Sequence, residues 1–497
     1  MTVHHLLCRQ IADGITHEIY PGRISVVDGV IRQIERGIFA AGSDQEYFFD
    51  ENILIAPAFI DAHGHSDISL MAMPQAAGKT AQGIGYEISG NCGLSPFPLS
   101  AHNRQHLTDL YKQYRIDPDW SDLTTYRQTL ARYQPAMQLL PLVGHNTLRA
   151  CVNGYEKRDL APGKLQTMQR LLDRELSAGA LGLSFGLLYV PGCFAAMEEI
   201  TALMQIVARH DRIVTVHLRS EGDDLAGAVD EMLFAARAAG LRKLHISHLK
   251  TAGLHNHHKL HILEDLLQCP DLRVSGDIYC YDASMTQLSV IMPAPFDKLD
   301  DVTLMKKLQD ENFFLHQLEP VRRSRPAEYW QRVRLLSLPE EYRELSGLLL
   351  PEAAAQRHLS SEELFLQILR VGAPMATAAF HTLSSENMQK LAALDNVVPG
   401  SDESARDLQC DFGSSHPRGF GNHAEYFALR RKQGAADWQI IAEMSRKIAD
   451  IFALGSIGRI APGCRAAFAV IDKEKYASRA TYRQPHQLAT GAKLLVL

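Results

Sequence analysis

Short apolar runs recur along the middle of this chain, and nearly every one ends in a side chain that can bind a metal or move a proton. The run Ile53-Leu54-Ile55-Ala56-Pro57-Ala58-Phe59-Ile60 leads into Asp61-Ala62-His63-Gly64-His65. Other candidate strands end at Cys92, His145, Ser184, His217, His248, Tyr281, His381 and Asp402. Helix-like stretches lie between several of them, Pro162 to Ala178 and Leu225 to Ala239 among others. Repeated strand–helix alternation predicts a parallel sheet covered by helices. Eight such units close a (β/α)8 TIM-like barrel. Nine strand candidates are one too many, so one is spare or belongs to an insertion. Residues about 295–365, rich in Leu, Glu and Arg, interrupt the alternation and read as a helical insert. In such barrels functional side chains gather where strands end. Core packing alone does not ask for that pattern.

The two ends of the chain have a different texture. Gly22, Gly29 and Gly37 punctuate Ile24-Ser25-Val26-Val27 and Val30-Ile31-Arg32-Gln33-Ile34, and Ala467-Phe468-Ala469-Val470-Ile471 repeats the style. This predicts one small β domain assembled from residues 1–55 and 451–497, around a catalytic region of 56–450. The 497 residues suffice for a large core and more than one domain. Hydrophobic content of 46% and charged content of 22% are ordinary for a soluble globular protein. The net charge of −6 is mixed along the chain, with no basic stripe, so nucleic acid is not an expected partner. No run approaches the ~20 apolar residues of a membrane helix. The start lacks the apolar stretch of a signal peptide. Eight scattered cysteines with no CxxC pair do not make a disulfide framework in so long a chain. A reducing cytoplasm is expected, where cysteine can act as a thiolate ligand.

Alternate side chains of a strand share a face, so His63 and His65 are expected to point the same way. Two imidazoles side by side look like a metal seat. His217 and His248 end consecutive strand units, which favours ligands over satisfied core histidines. Cys92 sits between Gly90-Asn91 and Gly93, a setting that argues for a tight turn over a packed core thiol. Asp402 follows Val397-Val398-Pro399-Gly400-Ser401, where an aspartate serves as ligand, proton shuttle or both.

The motifs Asp61-Ala62-His63-Gly64-His65-Ser66-Asp67, Gly90-Asn91-Cys92-Gly93, Gly144-His145-Asn146-Thr147, His217-Leu218-Arg219-Ser220-Glu221, Ser247-His248-Leu249-Lys250, Tyr279-Cys280-Tyr281-Asp282, Gly400-Ser401-Asp402 and His416-Pro417-Arg418 stand in this order. With them the chain resembles the amidohydrolase superfamily, and within it the D-aminoacylase (N-acyl-D-amino-acid deacylase) family, from Ala56 to Asp472. The resemblance implies an α/β fold, a barrel of the amidohydrolase type with a small β-sandwich domain. It also implies zinc-dependent hydrolysis of the linear amide of N-acyl-D-amino acids, with a small-molecule substrate and an oligomeric state left open. The resemblance implies that a cysteine, matched by Cys92, takes the metal-bridging place that a carboxylated lysine holds in many amidohydrolases. On that pattern Cys92, His217 and His248 hold one tight zinc, while His63, His65 and Asp402 frame a second, weaker site. The resemblance further implies that Asp402 is the catalytic proton carrier and that Lys250, Tyr281 and Arg418 hold the substrate α-carboxylate. The plain alternative for Lys250 and Arg418 is a salt bridge to a neighbour such as Glu221 or Asp282.

The chain departs from the pattern at Glu403, Phe185 and Val190, and Phe185 and Glu403 are expected to alter which substrate groups fit. The alternative activity is that of a cyclic amidase of the dihydroorotase or hydantoinase type, but no lysine stands at the strand end near Ser184. Gly182-Leu183-Ser184-Phe185-Gly186 fits a serine-hydrolase elbow, which needs a helix straight after the serine. Pro191-Gly192 follows too soon for that. His255, His257, His258 and His261 form a second group, expected to be solvated.

Overall fold

Four strands open the chain: β1 (Val3–Ile11), β2 (Tyr20–Val27), β3 (Val30–Arg36) and β4 (Glu46–Pro57). In β2 buried and half-buried residues alternate along the whole strand, as a sheet with one packed face requires. The computed structural model describes residues 3–40, 46–155, 159–160, 162–409 and 414–497.

Next come β5 (Phe59–Asp61), β6 (Ile84–Ser89), β7 (Gln138–Pro141), β8 (Val143–Gly144), β9 (Gly182–Gly186), β10 (Ile213–His217), β11 (Lys243–Ile246) and β12 (Arg273–Ile278). Every residue of β6, β9 and β10 is buried. Parallel strands covered on both faces have that signature, which is why the sequence shows continuous apolar runs there. Helices such as Met197–Arg209 and Leu225–Ala239 separate them, the second ending at Gly240 with φ of 66° in the left-handed region.

Three short antiparallel strands follow: β13 (Ser284–Gln287), β14 (Val333–Leu335) and β15 (Thr377–Phe380). They belong to a unit with its own apolar core, including Leu304, Phe314, Trp330, Leu364, Phe365 and Phe380. Its helices include Glu311–Ser324 and Ser361–Gly372, the latter started by a Ser360–Glu363 capping box. The helical stretch read at about 295–365 lies inside this unit. The run leading to His381 is β15, so the ninth strand candidate is not part of the parallel set. The chain then forms β16 (Val397–Pro399), β17 (Ala467–Asp472) and β18 (Ala492–Val496).

Both chain ends share one six-stranded sheet, in the order β18-β17-β4-β1-β2-β3. The parallel strands form two sheets, β5-β6-β7 and β8-β9-β10-β11-β12-β16. Main-chain bonds link them on both sides. Leu142 N donates to Ser89 O (2.9 Å) and Leu181 N to Pro141 O (3.0 Å) on one side. Ala62 N donates to Pro399 O (3.2 Å) and Asp402 N to His63 O (2.7 Å) on the other. Thr215 pairs in register with Ser184 and His245, and Val216 with Phe185 and Ile246. Alternation thus sorts these strands into a polar row and an apolar row.

Candidate metal centre and active site

The candidate residues converge past the carboxyl ends of the parallel strands. β5 stops at Asp61, so His63 and His65 lie in the turn beyond it and not within the strand. They still reach the same partner: His65 Nε2 is 3.1 Å and His63 Nε2 3.5 Å from Asp402 Oδ1. Cys92 Sγ lies 3.4 Å from His63 Nε2 and 3.3 Å from His248 Nε2. The His217 ring stands 4.4 Å from the His248 ring, edge on.

Three of these side chains sit on unusual backbone. Cys92 (φ 51°), His248 (φ 38°) and Asp402 (φ 51°) occupy the left-handed region that residues with a Cβ rarely adopt. Such conformations persist only where the surroundings impose them. Around Cys92 the cause is visible. Ser184 Oγ donates to Gly90 O (2.5 Å) and accepts from Gly93 N (3.1 Å), pinning the turn. Ser184 is therefore a loop anchor, not a nucleophile. Beneath Asp402, the buried Lys79 donates from Nζ to Asp61 Oδ2 (2.5 Å), Ser401 Oγ (2.7 Å) and Glu403 O (3.0 Å). Glu87 lies 3.0 Å from the same ammonium and accepts from Ser66 N and Oγ. One cation thus ties the turn holding His63 and His65 to the turn holding Asp402.

Carboxylates orient the imidazoles. Asp277 Oδ2 is 3.1 Å from His63 Nδ1 and 3.0 Å from His245 Nε2, while Asp277 Oδ1 accepts from His248 N (3.0 Å). Glu221 Oε1 is 2.8 Å from His248 Nδ1 and 2.7 Å from Lys250 Nζ. His63 and His248 therefore each use Nδ1 on a carboxylate and turn Nε2 toward Cys92. Burial opposes charge here, yet neighbouring charges win. Asp277 and Cys92 hold His63 well above the usual imidazole range. Asp402 and Cys92 push His65 up to about 10. Although burial and Lys250 oppose it, Glu221 and Cys92 push His248 up to about 9. Against burial, His63 and His248 hold the Cys92 thiol well below its usual range, and Arg418 does the same for Asp402.

The donor set suits zinc, which takes thiolate, imidazole and carboxylate ligands. His63, Cys92, His248 and Asp402 place their ligand atoms within 4.8 Å of one another. Both ring nitrogens of His217 are buried without a hydrogen-bond partner among the described residues, Glu221 Oε2 lying 3.5 Å from Nε2. An imidazole left without a partner in the interior fits a ligand position.

The anion-binding candidates are brought in only in part. Lys250 is bound to Glu221, the plain alternative for it. Arg418 Nη1 is 3.0 Å from Asp402 Oδ2, an ion pair not aligned as a hydrogen bond, and Nε has no hydrogen-bond acceptor among the described residues. Tyr281 is a correction. Its hydroxyl faces Pro417 O at 3.5 Å and its ring packs on His416. Tyr279 instead lies on the two cations, its ring centroid 4.5 Å from Arg418 Cζ and 5.9 Å from Lys250 Nζ. Phe185 is also a correction. It falls in the apolar row, fully buried against His145, and faces the helices, so it does not shape a substrate pocket. Glu403 is buried beside Gly419 and Arg406. His255 pairs with Asp223 and His257 with Thr382 O, away from the cluster.

Sequence reasoning missed Asp277, Tyr279 and Tyr189, whose ring packs 4.8 Å from His217. It named Glu221 only as a salt-bridge partner. A carboxylate inside the apolar run Val274-Ser275-Gly276-Asp277-Ile278 was the available signal for Asp277.

No family model matches the chain. It is 27% identical over 445 residues to an N-acyl-D-glutamate deacylase of Alcaligenes xylosoxydans xylosoxydans, covering 88% of this chain and 81% of the relative. It is also 27% identical over 446 residues to a D-aminoacylase of the same organism, covering 88% and 82%. Among solved structures it resembles the N-acyl-D-glutamate deacylase of Bordetella bronchiseptica complexed with zinc and a phosphonate mimic of the tetrahedral intermediate. That match has a TM-score of 0.81 and 26% identity over 99% of this chain and 95% of the other. A dihydropyrimidinase from Brevibacillus agri shares the fold alone, with a TM-score of 0.54 and 12% identity over 100% and 93% of the two chains.

Proposed function

We infer that this chain, a homologue of the D-aminoacylases within the amidohydrolase superfamily, hydrolyses the linear amide of N-acyl-D-amino acids to a carboxylic acid and a D-amino acid. The observation behind this reading is Cys92 Sγ, set 3.4 Å from His63 Nε2 and 3.3 Å from His248 Nε2 in a chain whose relatives are deacylases of that kind. We read the linked parallel sheets as one closed (β/α)8 barrel, with the insert on one side. The six-stranded sheet, broken in register at Ser25/Val26, is read as the small β-sandwich domain of residues 1–55 and 451–497 around 56–450.

Cys92, His217 and His248 are the proposed ligands of a tightly held zinc, and His63, His65 and Asp402 of a second, weaker site. When bound, zinc supplies a water of lowered pKa and polarises the amide carbonyl. Asp402, kept ionised by Arg418, takes the proton of the attacking water and passes it to the departing nitrogen. The amine leaves poorly without that proton. Arg418, whose Nε has no acceptor among the described residues, and Lys250 hold the α-carboxylate; guanidinium suits a carboxylate geometrically. A cyclic amidase is the weaker reading, since the strand position beside the cysteine turn holds Ser184, committed to Gly90 and Gly93. No helix among the described residues is long and apolar enough to cross a membrane. A cytoplasmic setting, with cysteines reduced, remains part of the proposal.

The test is a panel of N-acetyl-D- and N-acetyl-L-amino acids, with hydantoin and dihydrouracil, run on one preparation whose zinc is measured. Preference for linear D substrates, lost together with zinc in Cys92→Ala, is expected. Hydantoin turnover without deacylation would reverse the ranking.

A further inference from the structure

We propose that His245 and Ser275 are positioning residues for the metal cluster: they fix the Asp277 carboxylate and, through it, the ring of His63. This rests on reading His63 as a zinc ligand. His245 on β11 and Ser275 on β12 stand opposite each other in register, and Ser275 shares strand parity with Asp277. All three are buried. The inward face of a barrel is ordinarily filled by branched apolar side chains, and a polar group placed there is costly unless it is hydrogen-bonded. Here the bonds form one line. Ser275 Oγ is 2.8 Å from His245 Nδ1, His245 Nε2 is 3.0 Å from Asp277 Oδ2, and that same oxygen is 3.1 Å from His63 Nδ1. The ring of Phe452 packs against the His245 imidazole at 5.1 Å. An ionised carboxylate only accepts hydrogen bonds, so the proton of His245 sits on Nε2, and the Ser275 hydroxyl, donating to Nδ1, keeps it there. The other oxygen, Asp277 Oδ1, accepts from His248 N (3.0 Å). With one oxygen held by the backbone of His248 and the other by His245, the carboxylate cannot turn away from His63. An apolar residue at 245 would fill the space without holding that oxygen.

The experiment competes full-length zinc-loaded protein with a chromogenic chelator. It compares the wild type, His63→Ala, His245→Leu, His245→Gln, Ser275→Ala, Asp277→Asn and the double variant His245→Leu/Asp277→Asn. His63→Ala identifies the zinc site concerned. At that site His245→Leu is expected to weaken binding about tenfold, the lower end of what an outer partner of a ligand contributes. His245→Gln keeps a donor for Asp277 and an acceptor for Ser275, so it should restore most of that affinity. Ser275→Ala should show a smaller loss in the same direction. In the Asp277→Asn background His245→Leu should cost nothing more, because residues in one hydrogen-bonded network do not add. A merely structural His245 predicts a lower Tm with unchanged zinc affinity, or losses that simply add in the double variant. Either result overturns the proposal. If His245→Leu does not fold, Ser275→Ala decides, and wild-type affinity in that variant overturns the proposal. Unchanged zinc binding in His63→Ala would overturn the ligand reading and this inference with it, a failure distinct from a site sensitive to His63 but indifferent to His245.

Discussion

Asp277 Oδ2 stands 3.1 Å from His63 Nδ1, both groups fully buried, and so decides which nitrogen of His63 faces Cys92. When Nδ1–H donates to this carboxylate, Nε2 is the nitrogen left directed at the cluster. Outer carboxylates of this kind fix tautomer and ring orientation, and their loss typically costs about 10–100-fold in metal affinity or activity. Asp277→Asn should weaken zinc binding by about that factor, measured by competition with a chromogenic chelator. Unchanged affinity would mean that His63 is held by its packing and not by Asp277.

Zinc binding should depend steeply on pH. Against burial, Asp402 and Cys92 push His65 up to about 10, Glu221 and Cys92 push His248 up to about 9, and Asp277 and Cys92 hold His63 well above the usual imidazole range. Burial opposes them, but His63 and His248 hold the Cys92 thiol well below its usual range, which favours the thiolate. The protons displaced by zinc at neutral pH therefore come from imidazolium groups, and affinity should rise with pH from 6.5 toward 9. Calorimetry in buffers of different ionisation enthalpy gives the number released. A flat affinity with no proton release would contradict this charge distribution.

Asp402→Asn should lower turnover by about 10²–10⁴-fold if Asp402 moves the proton. The same change also leaves the buried Arg418 facing a neutral amide, so some stability should be lost with it. Circular dichroism separates the two effects. Near-normal turnover in a folded variant would remove Asp402 from the chemistry.

Lys79→Met should destabilise the protein by about 3–5 kcal/mol, the usual cost of leaving buried charges without their partner. Here two carboxylates, Asp61 and Glu87, lose one ammonium. Urea unfolding measures the loss. A stability within about 1 kcal/mol of the wild type would show that the seam between the two turns is held without Lys79.

Spacing along the chain was enough to indicate alternating strands and helices, a sheet drawing on both ends, and ligand types at strand ends. The physical reason is local: burial on both faces forces continuous apolar runs, and the first polar residue after such a run is where the strand meets solvent or substrate. The metal-type residues His63, Cys92, His217, His248 and Asp402 were legible for that reason, although their roles came through family resemblance. What one side chain does to another across the fold was not legible. That Asp277 serves His63, 214 positions away, follows only from strands β5 and β12 both ending beside β16. Tyr279 and Tyr281 share the same strand parity, and only packing on Arg418 for one and His416 for the other tells them apart. Phe185 looked like a pocket residue until the register with Val216 and Ile246 put it under the helices. A sequence records which residues are apolar and how often they recur. Which of two equally placed side chains meets a charge is settled by contacts between segments far apart in the chain.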